Sequence, residues 1–210
     1  MASLIDVDRI LRLHREAVER WHAAPAAGAA GEAMRDGFWR FVEENHKRNI
    51  ELWHEEDKAR DRTASDAVIA QVKRNIDRFN QLRNDAMERM DEALLQALEQ
   101  SAAPPASGAP LNSETAGTII DRLSILSLKV YHMQEEAQRA EGGAAHREKA
   151  AARLAVLRTQ QEDLADCLRA LAEDLAAGRK RYKVYRQMKM YNDPTLNPVL
   201  YTSGSKPKEA

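Results

Sequence analysis

The chain has 210 residues, enough for one domain with a sizeable core, and its 31% of charged residues cancel to a formal net charge of −1. No overall field therefore draws it to nucleic acid or to an anionic membrane, and no apolar run approaches the roughly 18 residues of a membrane span. The apolar set is 43%, with only nine Gly and seven Pro, a mix rich in Ala, Leu, Arg and Glu that favours helix over sheet.

In chain order, Ser3 is placed to cap a first helix from about Leu4 to Trp21. This start is amphipathic and carries acids, so no secretory signal is expected and a cytoplasmic location is. An Ala/Gly/Pro connector follows from Ala23 to Gly31, then a second helix from about Glu32 to Arg60. Ser65 and Asp66 cap a third helix that reaches about Glu99, roughly 50 Å long. SAAPPASGAP, within a flexible loop at about 101–112, leads to a fourth helix that begins near Ser113 or Thr115 and stops before Gly142-Gly143. A fifth runs from about Ala145 to Ala177, with Leu154, Leu157, Leu164, Leu168, Leu171 and Leu175 at heptad-like spacing and Gly178 as its C′ stop. Cys167 is the only cysteine, so there is no disulfide framework or thiolate cage; beside Leu168 it reads as a small core thiol. Asp193-Pro194 and Asn197-Pro198 forbid a regular helix, and a disordered tail is expected over 202–210. The expected fold is all-α: one antiparallel bundle of about five long helices over 1–201, with a short irregular C-terminal segment.

One residue breaks the pattern of the third helix. Ile69, Val72, Ile76, Phe79, Met87, Met90 and Leu94 form an apolar stripe, and Arg83 falls in its middle, edged by Asn80, Asn84 and Asp91. A guanidinium facing a core needs a partner. On the second helix Asn45, Asn49 and Glu56 share the apolar face of Phe38, Phe41, Val42 and Leu52, so Glu56 or Asn49 is expected to meet Arg83 across a helical hairpin. Such a contact serves as a structural lock on register, or as one wall of a pocket lined by Asn45, Asn49, Glu56, Asn80, Arg83 and Asn84. The fourth helix is apolar on two sides, through Ile119, Ile120, Leu123, Leu126 and Val130 and through Ile125 and Leu128, which marks it as central. Asp121, Ser124 and His132 lie on its second face. His132 reads first as a satisfied boundary histidine, and on the functional reading Asp121 and His132 join the pocket. About three turns, or roughly 16 Å, separate that pair.

Two further clusters carry chemistry. Arg181, Lys183, Arg186 and Lys189 interleave with tyrosines after the fifth helix, a pattern that suits an anion site or the helix dipole. Glu55, Glu56, Asp57, Glu88 and Asp91 supply carboxylates for Mg²⁺, but neighbouring acids on a helix diverge, and HExxH, Walker and GxGxxG motifs are absent.

Asn49-x-x-Leu52-Trp53-His54-Glu55-Glu56-Asp57-x-Ala59-Arg60, Arg83-Asn84-Asp85, the run from Glu114 to Met133, and Lys189-x-Tyr191-Asn192-Asp193-Pro194-x-Leu196-Asn197-Pro198 together resemble the bacterial domain-of-unknown-function 4254 family, from about Phe38 to Tyr201. The resemblance places Glu56, Asp57, Arg83, Asn84, Asp121 and Lys129 in the family pattern without giving them roles. It implies genes often set beside glycosyltransferases of the cell envelope. The chain is also similar to all-helical nucleotide pyrophosphohydrolases, which hold Mg²⁺ with Glu-Glu-x-x-Glu and a later Glu-x-x-Asp. Glu88-x-x-Asp91 matches, whereas Lys47 and Ala59 stand where the third carboxylate belongs.

The reading that follows is a helical accessory or binding protein without a resident cofactor, in which Glu56 and Arg83 hold the shape of a polar pocket and Arg181, Lys183 and Arg186 of the basic tail meet an anionic ligand or a protein partner. The alternatives are a Mg²⁺-dependent phosphohydrolase and a structural helical homo-oligomer.

Overall fold

The computed structural model describes residues 5–23, 37–101, 104–188, 190 and 193–203. These hold α1 (Val7–Ala23), α2 (Phe38–Ala59), α3 (Asp66–Ser101), α4 (Ala116–Gln138), a 3-10 turn (Ala140–Gly142), α5 (Gly143–Ala176) and α6 (Pro198–Ser203), with no strand among them. The architecture is an all-α bundle. The expected caps at Ser3 and start at Glu32, most of the connector at 23–31, and the tail beyond Ser203 lie outside the described residues.

Local chemistry fixes each boundary. Asp6 Oδ1 accepts the N–H of Arg9 at 2.9 Å, so α1 starts at Val7 on an aspartate cap. Ser65 and Thr115 do the same for α3 and α4, accepting from Val68 and Thr118. α5 ends in a Schellman motif: Gly178, at φ 67°, donates to Leu175 O and Arg179 donates to Asp174 O. One expectation fails at the C-terminus, where Asn197-Pro198 opens a helix. Proline at the first helical position lacks only an N–H that would have no partner there, and Asn197 Oδ1 takes the next one, from Val199 at 3.1 Å.

α2 packs chiefly on α3, α4 on α5, and α1 lies against α4 and α2. Contacts between Asn45 and Arg83 and between Glu55 and Asn75 make α2–α3 an antiparallel hairpin. Gln161 to Ser127 and His146 to Glu136 do so for α4–α5. His14 meets His46 and His22 meets both His54 and Tyr131, so α1, α2 and α4 run in one direction, side by side. The main core draws on all five long helices, with Ile10, Val42, Met90, Ile120, Leu123 and Leu168 fully enclosed.

Two features pin the end of α4. Gly117 lies so close to α3 that a Cβ there would sit 2.6 Å from Asp91 Oδ1 and 2.7 Å from the Met87 carbonyl oxygen. Asp91 uses that closeness, accepting the Gly117 N–H at 2.6 Å and the Tyr182 hydroxyl at 2.5 Å. The segment after Pro104 is bonded to the end of α5: Ala106 donates to Gly178 O, and Arg181 donates to Pro110 O. Cys167 corrects the sequence reading, because it is exposed. The buried stripe of α5 runs through Leu164, Leu168, Leu171 and Leu175, and Cys167 is one residue, about 100°, off it.

Candidate functional site

At the meeting of α2, α3 and α4 the second helix presents Asn45 and Asn49 inward, one turn apart, and α4 presents Asp121 and Ser124. All four are buried, and they satisfy one another. Asp121 Oδ1 accepts an N–H from Asn45 and one from Asn49, both at 2.9 Å. Asn49 donates its second N–H to Ser124 Oγ at 2.9 Å, and that oxygen lies 2.7 Å from His46 Nδ1. Buried polar groups are tolerated when each finds a partner, and this set does.

Arg83 reaches the edge of the network from α3. Its Nη1 donates to Asn49 Oδ1 at 3.5 Å, and its Nε stands 3.6 Å from Asp121 Oδ1. Its side chain is one quarter exposed, so the residue forms a wall of the core instead of lying inside it. Nε is buried and has no hydrogen-bond partner among the described residues. Asn49 meets it as expected. Glu56 does not: in the α2–α3 register it falls two turns beyond Asn49, and it pairs with Arg60 at 3.5 Å.

Beside this guanidinium is a cleft of about 390 Å³, within the range of small-molecule sites. Leu52, Trp53, Ile125 and Leu128 form its apolar side, and Asn49, Glu56, Asp57, Asn80, Arg60 and Arg83 its polar side. Of the sequence-predicted pocket residues, Asn49, Glu56, Asp57, Asn80 and Arg83 line the cleft, with Asn45 and Asp121 bonded behind them. Asn84 is buried in α3, and Lys129 is exposed on α4. His132 stacks on Trp53 with centroids 4.7 Å apart, touching a residue of the cleft wall.

Sequence reasoning missed a layered seam. His14, His46 and Ser124 form one layer of α1, α2 and α4; Val18, Ile50 and Leu128 form the next; His22, His54 and His132 form a third. Each layer is four residues after the one before, on all three helices. The signal was present as His14-x₃-Val18-x₃-His22, His46-x₃-Ile50-x₃-His54 and Ser124-x₃-Leu128-x₃-His132, but it has meaning only once the three helices are known to run parallel. Burial, helped by His46, pulls His14 well below its ordinary pKa, and burial takes His46 down to about 3.

The C-terminal cations are spread out. Arg181 Nε donates to Ala109 O at 2.7 Å, Arg186 pairs with Glu88 at 2.9 Å and Glu92 at 2.5 Å, and Lys183 Nζ lies 5.6 Å from the Tyr185 ring centroid. Lys189 lies outside the described residues. The carboxylates considered for Mg²⁺ are likewise dispersed. Glu55 holds Lys58 and Asn75, Glu88 holds Arg186, Asp91 holds Gly117 and Tyr182, and Glu56 and Asp57 both face Arg60. Among the described residues no three His, Cys, Asp or Glu side chains are grouped to hold a metal ion. No described helix is long and apolar enough to cross a membrane.

No curated protein and no solved structure matches the chain. A family model described as a protein of unknown function matches residues 39–184, which takes in α2 through α5 and all residues of the cleft and its buried support, but stops short of the Asn192-Asp193-Pro194 turn. The chain belongs to that family, DUF4254.

Proposed function

We propose that the protein is a helical binding protein whose α2–α3–α4 cleft takes an anionic, hydroxyl-bearing small molecule of the nucleotide-sugar type, as an accessory to glycan assembly at the cell envelope. The observation that carries this reading is the state of Arg83. It is fixed in the cleft wall by a buried network, yet its contacts to Asn49 and Asp121 lie at the long edge of hydrogen bonding, and its Nε, 3.6 Å from Asp121, has no hydrogen-bond partner among the described residues. Asp121 cannot close on it more tightly without loosening its two amide donors. A phosphate or carboxylate oxygen supplied by a ligand meets the exposed part of the guanidinium, away from the buried Nε, with full charge-assisted bonds. Trp53, Leu52, Ile125 and Leu128 offer an apolar floor, and Asn49, Asn80, Glu56 and Asp57 can bond hydroxyl groups. The envelope setting rests on the family resemblance alone.

Titration calorimetry with a panel of nucleoside diphosphate sugars, and with the free neutral sugars as controls, tests this. The expected result is a heat for at least one phosphate-bearing member, weakened by about tenfold or more in Arg83→Ala, the worth of one charge-assisted bond. No heat from any member, or equal affinity in Arg83→Ala, overturns the reading.

A further inference from the structure

The third layer of the α1–α2–α4 seam brings three imidazoles together. The His22 centroid lies 5.4 Å from that of His54 and 5.0 Å from that of His132. Tautomers are fixed for two of them. His22 Nδ1 sits 2.8 Å from the carbonyl oxygen of Val18, which only accepts, so Nδ1 carries the proton and Nε2 is bare when the ring is neutral. His132 Nδ1 sits 2.9 Å from a Glu135 carboxylate oxygen, with the same consequence. The Nε2 atoms of His22, His54 and His132 are all buried with no hydrogen-bond partner among the described residues. A neutral layer tolerates this, because a bare lone pair lost from water costs less than a stranded cation. Trp53 stacks on His132, Trp21 on His54 and Tyr131 on His22, so the layer is also the apolar closure over the last turn of α1.

We propose that this layer is a proton-operated latch: neutral, it holds the C-terminal turn of α1 against α2 and α4; protonated, it releases that turn and frees Trp53 in the cleft wall. A proton arriving at Nε2 creates a buried N–H with no acceptor, and a second proton places two cations on rings in contact. The charged groups around the layer are Glu19 on α1, Glu55, Asp57 and Lys58 on α2, and Glu135 with the Tyr131 phenol on α4, whereas Arg20 of α1 acts on His46 in the first layer. α5, packed along α4, sends Arg158 to Gln134 and His146 to Glu136, and α3, packed on α2, sends Asn75 to Glu55. Glu135 and Asp57 favour a first proton, Lys58 opposes it, and the rings oppose a second among themselves. Burial first, then His22 and His132, pull His54 below its ordinary pKa. The latch does not depend on what the cleft binds.

Amide hydrogen exchange of the full chain at about pH 7.5 and about pH 5.5, corrected for intrinsic rates, reads the latch directly. Opening of residues 18–22, taken relative to residues 119–123 of α4, is expected to rise about tenfold on acidification, and this rise is expected to shrink to about a third or less in His22→Phe, which keeps a ring, removes one of the three imidazoles and leaves His14 and His46 in place. An unchanged ratio, a loss of protection shared equally by both segments, or the same rise in His22→Phe overturns the proposal. Imidazole NMR titration of the unmodified chain keeps the test valid if His22→Phe does not fold. A His54 titration below the ordinary imidazole value supports the latch, and a His54 titration at that value contradicts it.

Discussion

Replacing Asp121 by alanine is the sharpest probe of the buried support. One carboxylate oxygen accepts N–H groups from Asn45 and Asn49 at 2.9 Å each, and those residues are 0% and 3% exposed. Asn49 keeps its bond to Ser124, so the substitution leaves each amide one N–H short of a good acceptor, with only long contacts to Asn45 Oδ1 at 3.4 Å and Arg83 O at 3.5 Å remaining. A stranded buried donor costs about 1–3 kcal/mol, which gives about 2–6 kcal/mol for the pair. The adjoining cleft lets water reach part of the gap, and that pulls the expectation to about 3 kcal/mol. For a chain of this size the melting temperature then drops by about 6–12 °C. Asp121→Asn retains an acceptor and loses the charge facing Arg83, so about half that loss is expected. Urea denaturation with unchanged m-value is the assay. A loss under about 1 kcal/mol in Asp121→Ala, the range of ordinary surface substitutions, would refute the buried network.

Other outcomes follow from the same structure. Gly117→Ala forces a Cβ to within 2.7 Å of the Met87 carbonyl, a backbone atom that cannot swing aside, so thermal unfolding should show a loss of about 1–3 kcal/mol. Tyr182→Phe removes the hydroxyl that donates to Asp91, where burial already raises the carboxyl pKa; a loss of about 1–2 kcal/mol in denaturant unfolding is expected, and none would mean that Gly117 and Thr115 suffice to hold Asp91. Burial keeps His46 neutral in the fold down to about 3 and His14 well below the ordinary imidazole value, whereas both take protons near 6.5 when unfolded. Stability is therefore intact above that pH and falls as pH drops through it toward 3, by up to about 1.4 kcal/mol per pH unit for each ring. Urea midpoints measured across this window should show the slope, and His46→Gln should reduce it by about half.

Helix positions were legible because their signals are local. The α3 stripe, the Ser65 and Thr115 caps and the Gly178 stop need only nearby residues. Arg83 was legible as an anomaly, and Asn49 as its partner, because both follow from one helical face and one hairpin. Glu56 lines the cleft but was misread as a partner of Arg83, since a helical wheel gives a face but no register, and in the antiparallel pair it lies level with the N-terminal half of α3. Asp121 entered the pocket by its face on α4, but its place beneath Arg83 depends on α2 and α4 running parallel, which no periodicity encodes. The histidine layers stayed hidden for the same reason. Cys167 shows the finest limit: one residue's rotation separates Leu168 in the core from a thiol in solvent.

The claim that matters most is that Arg83, and not the C-terminal cations, receives the anion. Side-chain NMR of the labelled chain, titrated with a nucleoside diphosphate sugar that gives heat in calorimetry, tests it directly. The expected result is a saturable shift of the Arg83 Nε–H, Asn49 Nδ2–H and Trp53 indole signals at one common midpoint, with Arg181 and Arg186 unmoved. Shifts confined to Arg181 and Arg186, with Arg83 silent, would contradict the account.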